Sequence, residues 1–128
     1  ILATVPDAMI VIDQDGLVLS FSPAAERMFG FSEAEMLGRN VKMLMPQPDR
    51  DRHDDYIRHY LETGEAHIIG IGRLTNARRS DGSVFPIELA VGDAVSDTGH
   101  VFTGFIRDLT ERQRTERRLA DLQSDLSH

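Results

Sequence analysis

Three glycine turns dictate most of what this chain can become. Gln14-Asp15-Gly16, Ser80-Asp81-Gly82 and Asp97-Thr98-Gly99 each lie between two apolar or alternating runs. Glycine accepts positive φ without steric cost, so each turn reads as a hairpin connection. The first joins residues 8–13 to residues 17–22. The second joins a strand within residues 68–77 to one near 84–95, and the third joins that strand to residues 101–108. Five strands joined mostly by hairpins predict an antiparallel sheet. Phe85, Ile87, Leu89 and Val91 alternate along the fourth strand and share one face.

Helix signals fill the space between the first and second hairpins. Ser22-Pro23 opens a short helix, with serine as N-cap and proline in the first turn, and Gly30 ends it. Ser32 and Glu35 have capping-box spacing for a second short helix closed by Gly38. Residues 41–45 are apolar and stopped by Pro46 and Pro48. A longer helix is predicted from near Asp49 to Thr63, with Gly64 as terminator. His53 precedes Tyr56, Ile57, Tyr60 and Leu61 by three, four, seven and eight residues, which puts it on their inward face. His59 is six residues from His53 and points away from that stripe. Thr110 and Gln113 have the spacing to cap a final helix. Leu119, Leu122 and Leu126 follow at intervals of three and four among many charges, a pattern suited to a coiled-coil seam. The order predicts an α+β domain: a five-stranded antiparallel sheet with helices on one face, a cavity between the layers and a C-terminal helix.

Composition narrows the chemistry. The 128 residues suit one domain, and 41% hydrophobic content suffices for one core. The chain starts at Ile1 without a signal-peptide pattern, so it reads as a segment of a longer protein. No apolar run has the length of a membrane span, and the expected location is the cytoplasm. A net charge of −7 argues against a broad nucleic-acid face. Cysteine is absent, so disulfides, thiolate metal sites and covalent haem attachment are excluded.

The element order resembles a PAS domain. Local patterns agree: Pro6-Asp7-Ala8 before the first strand, Asn40 after Gly38-Arg39, Arg78-Arg79-Ser80-Asp81-Gly82-Ser83 before the fourth, and Gly104-Phe105-Ile106-Arg107-Asp108-Leu109-Thr110 at the exit. The flavin-binding light-sensing branch has Asn-Cys where this chain has Asn40-Val41, and without the thiol no photochemical flavin adduct forms. A narrower resemblance is to the haem domain of the FixL oxygen-sensing histidine kinases. It rests on Leu44-Met45-Pro46-Gln47-Pro48-Asp49-Arg50, Arg52-His53-Asp54 and His67-Ile68-Ile69-Gly70-Ile71-Gly72-Arg73.

That resemblance implies non-covalent haem b with His53 as the axial iron ligand, Arg73 as the distal arginine, and Ile68, Leu89 and Val91 as an apolar distal wall. It puts His67 near the haem propionates. It divides the chain into a haem-binding domain over residues 1–109 and an exit helix over 110–128 leading to an output kinase. Where the family carries a propionate-contacting arginine this chain has His59, so that end of the haem is held more weakly or by neighbouring Arg58. Oxygen is the expected ligand, with carbon monoxide and nitric oxide as further candidates. The implied parent is a histidine kinase whose autophosphorylation oxygen lowers, acting through a response regulator in microaerobic control such as nitrogen-fixation regulation. The fragment shows no phosphoacceptor helix or ATP lid, so it is not itself expected to be an enzyme. The exit helix is expected to form a homodimer.

The residues alone leave alternatives open. His53 reads either as a ligand or as a core histidine bonded to a backbone carbonyl. Arg73, in a segment otherwise apolar or glycine, needs an anion or snorkels to solvent from a strand edge. Haem offers it a propionate or a gas ligand with partial negative charge. Strict alternation puts Ile68 and Arg73 on opposite faces, so if both line one pocket then residues 67–72 form a loop. Phe85, Ile87, Leu89 and Val91 taken alone read as core. Met43 and Met45 could offer a thioether, although methionine is a common core filler. His100 and His128 are given no role. The competing functions are a PAS module for flavin or an organic acid, and a cofactor-free PAS domain used for dimerisation.

Overall fold

The computed structural model of the chain describes residues 7–47, 73–97 and 99–126. The long helix expected over residues 49–63, and with it His53 and His59, lies outside them, as do His67 and Ile68. Within the described part, β1 (Ala8–Asp13), β2 (Val18–Phe21), β3 (Arg73–Arg78), β4 (Val84–Ser96) and β5 (Gly99–Asp108) form one sheet in the order β2-β1-β5-β4-β3. All four pairings are antiparallel. Helix α1 (Pro23–Phe29), helix α2 (Glu33–Met36) and a 3-10 turn (Val41–Leu44) follow β2, and α3 (Thr110–Leu126) follows β5. This is the α+β fold that the turns and caps predict.

Local chemistry explains most of the boundaries. Ser22 Oγ accepts from the Ala25 N–H at 3.2 Å and from the Met9 N–H at 2.9 Å, so one hydroxyl caps α1 and ties it to β1. Gly30 closes α1 at φ +81°, a conformation that disfavours any side chain. A Cβ there would also collide with the Ser80 hydroxyl, and the Ser80 N–H donates to the Phe29 carbonyl at 2.8 Å. The C-terminus of α1 is thus fitted to the β3–β4 turn. Ser32 and Glu35 form the reciprocal capping box of α2. In the 3-10 turn, Val41 and Leu44 are buried, as the three-residue period of that helix requires. At the β3–β4 turn, the Ser83 hydroxyl and N–H hold the Asp81 carboxyl below the usual carboxylate range.

Two expectations need correction. The cap of α3 does not come from a Thr110–Gln113 box. Asp108 supplies it: its Oδ1 accepts from the Thr110 N–H at 2.8 Å and from the Thr110 hydroxyl. A carboxylate also suits the positive end of a helix better than a hydroxyl. The second strand is shorter than its alternation suggests: pairing with β1 continues through a register shift between Val11 and Ile12 as far as Val18, Leu17 bridges to Asn40, and Ser22 caps α1.

The core lies between the sheet and α1, α2 and the 3-10 turn. Phe21, Phe29, Met36 and Val18 are its largest fully buried side chains. Phe29 joins two sides of it, with ring centroids 6.2 Å from Phe21 and 5.7 Å from Phe85.

Candidate functional site

Register decides what faces the space between the layers. Arg73 pairs with Leu89, and Leu89 with Ile106, which also pairs with Ala8. The neighbouring row runs from Val91 through Gly104 to Ile10. Because alternate residues share a face, Arg73, Thr75 and Ala77 of β3 look the same way as Ile87, Leu89 and Val91 of β4.

That face walls a largely apolar cavity of about 120 Å³. Its floor includes Ile10 and Ile12 of β1, Phe102, Gly104 and Ile106 of β5, and the inward residues of β4. Phe29, Val41, Leu44 and Met45 line it from the helical side. Arg73, Thr75 and Asn76 are the polar side-chain types among its described lining residues, and all three belong to β3. Gly104 adds room. A Cβ there would meet the Ile10 carbonyl and Leu89 only at 3.7 Å, an ordinary contact, so sheet packing does not demand glycine. The missing side chain widens the cavity instead.

Of the seven residues expected at the site, the fold brings Arg73, Leu89 and Val91 together on one wall. Leu89 is only 9% exposed, and Val91 is partly buried against the core. Arg73 is exposed and starts β3 at the rim. The other four expected residues, His53, His59, His67 and Ile68, fall outside the described part. Among the described residues, no group of three or more His, Asp or Glu could hold a metal ion. His100, which had no assigned role, has its Nδ1 2.9 Å from Asp93 Oδ1, and its ring stacks on Phe102 at 6.0 Å between centroids.

The sequence reading missed one constellation. Arg79 lies with its guanidinium 3.7 Å from the centroid of the Phe85 ring and 3.1 Å from Asp108 Oδ2. Phe85 packs on Phe29, which lines the cavity, and Asp108 caps α3. A continuous chain of contacts therefore runs from the cavity through Phe29, Phe85, Arg79 and Asp108 to the start of the exit helix. Both charged residues lie in segments already singled out as motifs. What the sequence did not reveal is that they meet across 29 positions.

Comparison with known proteins agrees with this geometry. The model of the family described as PAS fold matches residues 1–109. Sensor protein FixL of Bradyrhizobium diazoefficiens is 56% identical over 128 residues, covering 100% of this chain and 25% of that protein. Oxygen sensor protein DosP of Escherichia coli is 31% identical over 99 residues, 77% of this chain and 12% of that protein. The chain thus spans a quarter or less of these relatives. The crystal structure of a PAS domain from Colwellia psychrerythraea superposes with a TM-score of 0.69 at 22% identity, covering 84% of this chain and 89% of that one. With the sheet order, the helical layer and the match over residues 1–109 in agreement, the chain belongs to the PAS fold family.

Proposed function

We propose that this chain is the haem-holding, oxygen-sensing domain of a sensor histidine kinase. The observation that carries the reading is the joint placement of Arg73, Leu89 and Val91 on the wall of one apolar cavity, in a chain 56% identical to Sensor protein FixL. The described walls fit such a group. A large flat apolar body suits the aliphatic faces and the space at Gly104, and an anionic edge suits the guanidinium at the rim. Bound haem b supplies an iron centre to which a diatomic gas adds reversibly.

The chain's own residues do the rest. His53 holds the iron, with its second ring nitrogen donating to an acceptor that fixes the tautomer. His59, His67 and Arg58 lie toward the propionates. Ile68, Leu89 and Val91 keep water from the gas side. Arg73 would have two partners: a propionate at the rim in the absence of oxygen, and the partly negative gas once oxygen is present. Each state then has its own contacts, as a ligand-driven shift requires. The change at Arg73 enters β3, whose far end leads to Arg79, Asp108 and α3. Carbon monoxide and nitric oxide are further candidate ligands, and carbon monoxide, a much poorer acceptor, would engage Arg73 less.

The absorption spectrum of the purified protein tests this reading. A strong Soret band is expected. Flavin bands would replace the reading with a flavin module, and no visible absorption would favour a cofactor-free or organic-acid-binding PAS domain.

Output is proposed to leave through the exit segment of residues 110–128, which begins with α3, acting on an attached kinase and through it a response regulator. Among the described residues, no helix is long and apolar enough to cross a membrane, and we place the domain in the cytoplasm. Leu119 and Leu122 are 57% and 56% exposed along α3, as an unpartnered seam would be; the side chain of Leu126 lies outside the described part. Burial in a parallel dimer contributes about 1.5–3 kcal/mol per fully buried leucine. Replacing both Leu119 and Leu122 with Glu should therefore convert a sedimenting dimer to monomer. A dimer of unchanged affinity would move the interface elsewhere.

A further inference from the structure

Arg73 brings five N–H donors and no acceptor to the rim of the cavity. A diatomic gas accepts from one or two of them. Turned inward beside Ile87, Leu89 and Val91, the guanidinium would leave its other donors away from water, and buried donors without partners offset the gain of the bond to the gas. The inward arrangement needs a second acceptor on the wall, close to Arg73.

Thr75 stands at that place. It lies two residues along β3 from Arg73, so both side chains leave the strand on the cavity face about 6.6–6.8 Å apart. It pairs with Ile87, while Arg73 pairs with Leu89. It is half-buried where Arg73 is exposed. The third polar residue of the lining, Asn76, is opposite Pro86 in the alternate register and belongs to the outer face. The remaining described side chains of the wall are apolar.

Resting on the haem reading above, we propose that Thr75 is a positioning residue whose hydroxyl oxygen accepts from the inward-turned Arg73 guanidinium and so holds it against a hydrogen-bond-accepting gas. A threonine hydroxyl accepts through its lone pairs while donating its own hydrogen elsewhere, so this role coexists with any other partner that it keeps. Carbon monoxide, a poor acceptor, does not recruit Arg73 and therefore gains nothing from Thr75. The residue thereby sets selectivity between the two gases rather than affinity for gases in general.

The test measures oxygen and carbon monoxide dissociation constants by absorbance for the haem-loaded parent chain, Thr75→Val, Thr75→Ser, Arg73→Ala and the Arg73→Ala/Thr75→Val double variant. Valine keeps the β-branch and removes the acceptor. Thr75→Val is expected to weaken oxygen binding on the order of tenfold, the lower end for a hydrogen bond to a charged group, and to change carbon monoxide binding by less than about twofold. Thr75→Ser should restore the oxygen value, a rescue that a purely packing role would not give. With Arg73 already replaced, Thr75→Val should have no further effect. Equal losses for the two gases, or the same oxygen loss with and without Arg73, overturns the proposal. A parent protein with no haem spectrum overturns the underlying reading and this inference with it. A normal haem spectrum with an unaltered oxygen-to-carbon-monoxide ratio in Thr75→Val overturns the inference alone.

Discussion

His53→Ala is expected to yield a folded protein that no longer takes up haem normally. The spacing of His53 to Tyr56, Ile57, Tyr60 and Leu61 predicts a place on the inward face of a helix. The six-residue spacing predicts His59 on another face, so it is not expected to take the place of His53. An iron ligand must come from a rigid element beside an apolar slot, and the slot is built by the other half of the domain. Loss of a supporting partner of a metal ligand costs about 10–100-fold in affinity, so loss of the ligand itself should exceed that range. A haem titration of His53→Ala, with His59→Ala beside it, checks the assignment. His59→Ala should keep a normal Soret band and lose affinity only modestly at the propionate end. An unchanged Soret band and oxygen binding in His53→Ala would mean that another residue holds the iron.

Arg73→Ala carries the second large effect. In the proposed reading its guanidinium would donate to a partly negative gas beside the apolar Leu89 and Val91, where a hydrogen bond to a charged group is worth about 1.5–3 kcal/mol. Oxygen affinity should therefore fall by about 10–150-fold. Carbon monoxide affinity should change far less. In a full-length kinase carrying this domain, the same substitution should blunt the response to oxygen, because the proposed exchange of partners at Arg73 would be lost. Equal losses for both gases would remove the hydrogen-bond account. A kinase still fully switched by oxygen would remove the signalling account even if the affinities behaved as expected.

Where the determinants are local, the sequence reveals the structure directly. β1 spans the expected residues 8–13 because a turn glycine bounds it and its own apolar residues define it. The caps at Ser22 and Ser32 were legible because each hydroxyl reaches a donor only three residues away. The α3 cap was misread for the converse reason. Asp108 ends a strand, its carboxylate reaches forward two residues, and the nearby Thr110 offers a more familiar pattern. The cavity wall was half legible. Alternation aligned Leu89 with Val91, but only pairing between strands put Arg73 and Thr75 beside them. The Arg79–Asp108 link required a tertiary contact that no spacing rule supplies. For His53, His59, His67 and Ile68 the assignments still rest on the sequence.

The account stands on haem in this cavity binding oxygen reversibly, and one spectroscopic titration tests that directly. The purified protein is reduced under anaerobic conditions, and its visible spectrum is followed while oxygen is admitted and then withdrawn. The account predicts a Soret band that shifts as oxygen saturates one site per chain and returns when oxygen is removed. A spectrum without a Soret band, or one that oxygen leaves unchanged, would contradict it.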